Sequence, residues 1–322
     1  MRPPWGYIGR VTSGEGANSG ADPEGFGSSA IDDAARLDAA LPDIDWTVPP
    51  PGAAASVFRA PSGDLSMLTI GDPGDTRVVL VPGVTGSKED FTLMLPGLAA
   101  AGYHVQTFDL AGQYESAAAG PHNLRPPRPH YDYDLFVRDL IAVLEAGQAP
   151  AHVLGYSFAA SVAQLAYAER PELFASLTFL SAPPQPGQAF RGVSRIGRLS
   201  WLASGRVGAA LMIWGIKCNF VKVSPGRLRF VNIRFASTRF ESVRDIIALM
   251  KRTPDLRREL AASAIPKLVA VGEHDLWPLR LHSGFAREIG AQLAVYRAGH
   301  SPCETSPHQL NRDLLALFSR AG

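Results

Sequence analysis

The stretch "HVLGYSFAASVAQLAYAERP" (residues 152–171) changes character at one residue. Apolar, strand-like text runs into Gly155-Tyr156-Ser157-Phe158-Ala159, and a helical pattern begins directly behind it. A sharp strand-to-helix turn lifts a serine Oγ clear of a sheet. It also aims the first N–H groups of the next helix at an oxygen that becomes negative. Gly155 suits such a turn because a side chain there would collide across it. Residue 159 must also be small, and alanine stands where glycine is usual. Alone, a G-x-S-x-[GA] string is equally a small-residue turn with no chemistry.

The surrounding text supplies a sheet for this corner. Residues 55–61 and 65–72, joined by Ser62-Gly63-Asp64, read as a hairpin. "RVVLVPG" (77–83) is a short β-branched run of the kind buried on both faces of a sheet. A helix over 88–102, a strand over 103–109 and a helix over 133–147 follow, and the quoted strand and helix come next. Strands at 176–184, 266–275 and 291–300 continue the alternation, with helices at 281–290 and 306–320. Such alternation implies an α/β chain: a mostly parallel sheet, helices on both faces, made mixed by its leading hairpin.

The rhythm breaks in two places. Residues 1–53 form an extension expected to be a mobile tail, with a short helix capped by Ser29 and a Pro-rich linker "DWTVPPPG". Residues 185–252 are basic and aromatic-rich, and read as an insertion over the carboxyl edge of a core made of 54–184 and 253–322.

The formal net charge of +1 gives no reason to expect nucleic acid or a membrane as partner. It hides an asymmetry: residues 1–75 carry eleven acids against four arginines, and residues 185–252 carry thirteen Lys or Arg against two acids. Two cysteines, Cys218 and Cys303, form no disulfide framework and lack metal-ligand spacing, which suits a reducing compartment. The first residues lack the apolar core of an export signal, and the longest apolar run (207–216) is too short to cross a bilayer. A soluble cytoplasmic protein is expected.

Two more residues bear on Ser157. "LVAVGEHDLWP" places Asp275 just beyond a buried strand, and "VYRAGHSPCETSP" places His300 after the last strand. Singly, Asp275 could cap a helix and His300 could be a solvated loop residue. Together they appear in the order Ser, Asp, His, each past the carboxyl end of a parallel strand. Such ends converge on one edge, where the three side chains could form a hydrogen-bonded line.

On "VPGVTGS", "FDLAGQYES", "GYSFAA", "GEHDLWP" and "GHSPCETSP", the chain resembles the α/β-hydrolase family over about residues 54–320, insertion excepted. The resemblance implies an eight-stranded sheet, Ser157 as nucleophile, His300 as general base and then acid, and Asp275 orienting the imidazole. It implies an oxyanion hole from the backbone N–H groups of Phe158 and Val84, and it calls for neither metal nor organic cofactor. Pro82 stands where many members have histidine; neither that change nor Ala159 removes a needed donor. A serine nucleophile argues against the dehalogenases and epoxide hydrolases of the family, which use aspartate.

The expected reaction is hydrolysis of a carboxylic ester or thioester with an apolar acyl group. C–C hydrolysis, acyl transfer or cofactor-free perhydrolysis on the same triad are the alternatives, and a non-catalytic small-molecule receptor is a remoter one. The resemblance makes the insertion a helical cap whose apolar faces cover the site while its arginines face solvent. A basic face of that kind could meet an anionic or lipid-like substrate or an anionic membrane surface, or pair with the acidic N-terminal segment. Asp109 is expected to be structural, and Asp134 and Asp139 to decorate a helix. His104, His122, His130, His152, His274, His282 and His308 match no functional position, and Cys303 reads as a half-buried thiol. The oligomeric state is left open.

Overall fold

The computed structural model describes residues 28–190 and 224–321. Eight strands form one sheet in the order β1-β2-β4-β3-β5-β6-β7-β8. They are β1 (Ala54–Ala60), β2 (Gly63–Ile70), β3 (Thr76–Val81), β4 (Tyr103–Phe108), β5 (Ala151–Tyr156), β6 (Phe174–Leu180), β7 (Lys267–Gly272) and β8 (Gln292–Tyr296). The β1–β2 and β2–β4 pairings are antiparallel and all others parallel, so the hairpin makes the sheet mixed, as its sequence suggests.

Alternation across β3 explains why its text is apolar throughout. Val79 and Val81 point into one core layer, and Val78 and Leu80 into the other. The first layer is closed by α3 (Tyr133–Glu145), α4 (Phe158–Glu169) and α8 (Leu279–Glu288) through Leu135, Phe136, Val162 and Phe285. The second is closed by α2 (Leu95–Ala100) and α10 (Pro307–Phe318) through Leu98, Leu310 and Leu314. Full burial of each such side chain contributes about 1.5–3 kcal/mol, which holds the strand ends in fixed register. The edge strands are less covered: β1 is exposed at most positions, and β8 leaves Leu293 and Val295 exposed.

The expected continuous helix over 88–102 is broken. Lys88–Phe91 form one 3-10 turn, and α2 starts only at Leu95. Pro96 explains the break: in a continuous helix it would remove an interior hydrogen bond, whereas in the first turn of α2 its missing N–H costs nothing.

The N-terminal extension is docked over its described part, which departs from the expected mobile tail. Helix α1 (Ser28–Ala39) contains Ser29 inside its span rather than at its cap. Asp38 accepts hydrogen bonds from the backbone N–H groups of His308 and Gln309, so it caps the first turn of α10. Trp46 is buried.

Within 185–252, the described residues include α5 (Pro225–Ser237) and α6 (Phe240–Met250). The apolar run at 207–216 and Cys218 lie outside the described residues. Among the described residues, no helix is long and apolar enough to cross a membrane. Helix α6 buries Val243, Ile246 and Met250 in the first core layer, and the Ser242 hydroxyl donates to the Ala111 carbonyl. Two further short helices, α7 (Arg257–Ala262) and α9 (Pro302–Thr305), precede β7 and α10 respectively.

Candidate active site

Strand order reverses direction between β3 and β5, since β4 lies on one side of β3 and β5 on the other. A crevice opens at such a switch point beyond the carboxyl ends of the strands, and ligands of open α/β sheets bind there. Ser157 follows β5 and the Pro82-Gly83-Val84 turn follows β3, so the two flank it.

Ser157 has φ 53° and ψ −115°, a left-handed backbone that a non-glycine residue adopts only when its surroundings impose it. Its N–H donates to the Leu180 carbonyl (2.8 Å), and its own carbonyl accepts from the Ala160 N–H (3.1 Å). The glycine requirement at 155 is steric: a Cβ there would lie 2.6 Å from the Ala159 oxygen and 2.7 Å from the Ala160 nitrogen. Ala159 is fully buried, so its single methyl fills the space that the turn leaves. A Cβ on Gly83 would approach the Ser157 Cβ to 3.1 Å, so the β3 turn sits directly against the elbow.

The three candidate residues from separate strand ends meet. His300 Nε2 lies 3.2 Å from Ser157 Oγ, and His300 Nδ1 hydrogen-bonds to Asp275 Oδ1. Asp275 Oδ1 also accepts the Leu276 N–H at 2.7 Å. The Asp275 carboxyl is buried, which alone would raise its pKa. His300 and His282 outweigh that and hold it below the ordinary aspartate value. An ionised carboxylate only accepts, so the ring proton of His300 sits on Nδ1 and the Nε2 lone pair faces the serine hydroxyl. Trp277 lies against His300 (ring centroids 5.8 Å apart), with its Nε1–H donating to the Ala189 carbonyl at 2.6 Å. Tyr156 flanks His300 at 5.5 Å, and its hydroxyl pairs with Ser301 Oγ.

Phe158 is the first residue of α4, so its N–H has no acceptor within the helix. Its ring is fixed by stacking on Tyr133 and by an edge contact with Phe136. On the facing turn, the Thr85 N–H donates to Gln113 Oε1 (2.6 Å) and the Gly86 N–H to the Gly83 carbonyl (3.0 Å). Those amides are committed to the loop, and the Val84 N–H on the same turn is the second donor that the family resemblance implies.

Several polar residues do not behave as their sequence suggests. Asp139 does not decorate a helix surface: it is buried, and its carboxylate accepts from the N–H and hydroxyl of Ser62 in the β1–β2 turn. Burial raises its pKa to about 7, against the lowering effect of Ser62. Cys303 is fully rather than half buried, and burial raises its thiol pKa. Asp109 is structural as expected, held between the backbone N–H and ammonium of Lys88. Asp134 does lie in a surface ion pair, with Arg128 and Arg138. His152 stacks on Phe318 and bonds Ser176, and burial lowers its pKa to about 4.

The arginines of the insertion divide into two sets. Arg229 is exposed, but Arg227 and Arg234 face inward and are almost fully buried. Arg227 donates to Glu304 (2.9 and 2.6 Å) and to Asp90 (2.5 Å), while Arg234 donates to Asp90 (2.5 Å). The guanidinium of Arg227 also lies 4.4 Å from the Trp46 ring. At the start of α5, the Asp43 carboxylate accepts the Gly226 N–H. The solvent-facing arginines expected of this segment are thus partly internal, and they neutralise carboxylates of the core.

Sequence reasoning passed over His282. Its Nε2 lies 2.8 Å from Asp275 Oδ2, and both side chains are wholly buried. The available signal was its position on the buried stripe of α8 with Phe285 and Ala286. Among the described residues, no group of three or more His, Cys, Asp or Glu side chains is arranged to hold a metal ion.

Residues 78–313 match the model of the alpha/beta hydrolase family, and the chain belongs to that family. No curated protein matches it. Among solved structures it is similar to the esterase EaEST from Exiguobacterium antarcticum, at TM-score 0.68 and 19% identity, covering 83% of this chain and 100% of that one. It is also similar to lip1 from Acinetobacter baumannii AYE, at TM-score 0.65 and 18% identity, covering 94% and 99%. A bromoperoxidase from Bacillus anthracis matches at TM-score 0.68 and 18% identity, covering 83% and 100%. At these identities the likeness is one of fold.

Proposed function

We propose that this chain is a serine hydrolase that cleaves a carboxylic ester or thioester through an acyl-enzyme. The observation that carries the reading is the unbroken Ser157–His300–Asp275 line, anchored on a strained elbow at the switch point of the sheet. Ser157 Oγ attacks the carbonyl carbon while His300 Nε2 takes its proton. Asp275 stabilises the imidazolium and keeps the ring oriented. The carbonyl oxygen, now negative, accepts from the N–H groups of Phe158 and Val84, worth about 3–4 kcal/mol per donor in comparable sites. His300 returns the proton to the leaving alcohol or thiol, and water repeats the sequence against the acyl-serine.

The substrate is a small molecule with an apolar acyl group, and the aromatic rings of Trp277 and Tyr156 beside His300 support that reading. Arg227 and Arg234 are neutralised by Asp90 and Glu304, which argues against an anionic substrate or membrane read through them. Any such contact falls to exposed residues such as Arg229. The cytoplasm is the compartment we propose, on the cysteine usage. The test is turnover of p-nitrophenyl esters of increasing acyl length, with water, alcohol and peroxide as competing acceptors. Free acid as the main product supports hydrolysis. A dominant transacylated or peracid product would reassign the reaction, and no turnover in wild type would remove it.

A further inference from the structure

We propose that His282 is a positioning residue for the candidate triad, holding the second oxygen of Asp275 so that the first is presented to His300. The inference rests on the triad reading above.

A buried carboxylate has two oxygens to satisfy, and it can turn about its Cβ–Cγ bond unless both are engaged. In Asp275, Oδ1 is occupied by the Leu276 N–H and by His300 Nδ1. Near Oδ2, the one side-chain nitrogen in ion-pair contact among the described residues is His282 Nε2, at 2.8 Å; the two atoms are off hydrogen-bond alignment and neither has another partner there. Neither side chain has any exposure, so water is not an alternative partner. His282 sits on α8, whose Phe285 and Ala286 are packed into the core, and Trp277 meets it edge-on at 6.2 Å. Trp277 also touches His300, and its own Nε1–H is fixed to the Ala189 carbonyl. One indole is thus wedged between the two histidines, with Asp275 bridging them on the other side. A rigid helix holding one oxygen leaves the carboxylate a single orientation, which aligns Nδ1–H and so aims Nε2 at Ser157 Oγ.

This arrangement predicts a loss in the chemical step rather than in binding. His282→Phe keeps a planar ring in the packing but removes the donor. Partners that orient a functional ligand typically matter by about 10–100-fold when removed, and we expect a kcat decrease in that range with KM within about twofold of wild type. His282→Gln places an amide N–H near the position of Nε2 and should recover most of kcat. His282→Asn, whose amide reaches only as far as Nδ1, should not. Each variant is compared by burst-phase acylation with a p-nitrophenyl ester and by thermal melting. Wild-type kcat in folded His282→Phe overturns the proposal, as does a folded His282→Gln no faster than His282→Asn. Should His282→Phe fail to fold, the Gln and Asn pair decides. Fluorophosphonate labelling of wild type separates the two levels. Labelling at Ser157 with unaffected His282 variants sinks only this inference, whereas no labelling and no turnover sink the triad reading with it.

Discussion

Removing the charge of Arg227 should damage stability far more than substrate recognition. The residue is almost fully buried and is the side-chain partner of both Glu304 oxygens, and it shares Asp90 with Arg234. In Arg227→Met the packing volume is roughly kept, and Asp90 retains Arg234. Glu304, whose side chain is only 16% exposed, is left without its Arg227 partner. Breaking one partner out of a buried pair costs about 3–5 kcal/mol. Over the unfolding entropy of a chain of this length, that corresponds to a Tm lower by about 4–7 °C. Burial and the charge of Asp90 already raise the Glu304 pKa, with Arg227 opposing them. Without Arg227 it rises further, and the sign follows from linkage. Glu304 binds a proton more tightly folded than unfolded, so its contribution is fully present below the unfolded pKa and is lost as pH rises. The Tm deficit should therefore be smaller at pH 5.5 than at pH 8, and Glu304→Gln added to Arg227→Met should recover part of it. Calorimetry on the single and double variants measures all three effects. A single variant melting within about 1 °C of wild type at pH 8 would refute the reasoning, because a largely buried carboxylate cannot lose its partner at so small a cost.

Three other outcomes are expected. Asp139 has a folded pKa of about 7 set by burial, so its contribution to stability is complete below about pH 4 and declines as pH rises toward 7. Asp139→Asn keeps the Ser62 contacts and should flatten that decline, by at most about 4 kcal/mol, in urea titrations at pH 4.5 and 8; parallel curves for the two proteins would contradict it. Gly155→Val should destabilise the fold by about 1–3 kcal/mol or prevent folding, because its Cβ meets backbone rather than a movable side chain; a melting point equal to wild type would show that the elbow is looser than its geometry. Asp275 is held ionised by His300 and His282 despite burial, so Asp275→Asn should lower kcat by about 10⁴-fold across pH 6–9, and a loss confined to low pH would place the carboxylate outside the mechanism.

The parts of the site legible in sequence were those written in local text. The elbow is a contiguous strand, turn and helix, and Asp275 and His300 each follow a recognisable buried strand, so the parallel topology alone brings them to one edge. What escaped reading depended on distant partners. Arg227 finds Glu304 77 positions away and Asp90 137 positions away, so a basic run that looked solvated turned inward. Asp139 looked like helix decoration because Ser62 is 77 positions before it. His282 was hidden by position: a histidine on the apolar stripe of an amphipathic helix reads as core packing until the carboxylate beneath it is seen.

The central claim is that Ser157 is the nucleophile, and covalent labelling tests it most directly. A fluorophosphonate probe, followed by proteolysis and peptide mass spectrometry, should mark one serine, in the peptide containing "LGYSFAAS". Ser157→Ala and His300→Ala should each abolish the mark while melting like wild type. Modification of a different serine, or undiminished labelling in the Ser157→Ala protein, would contradict the account.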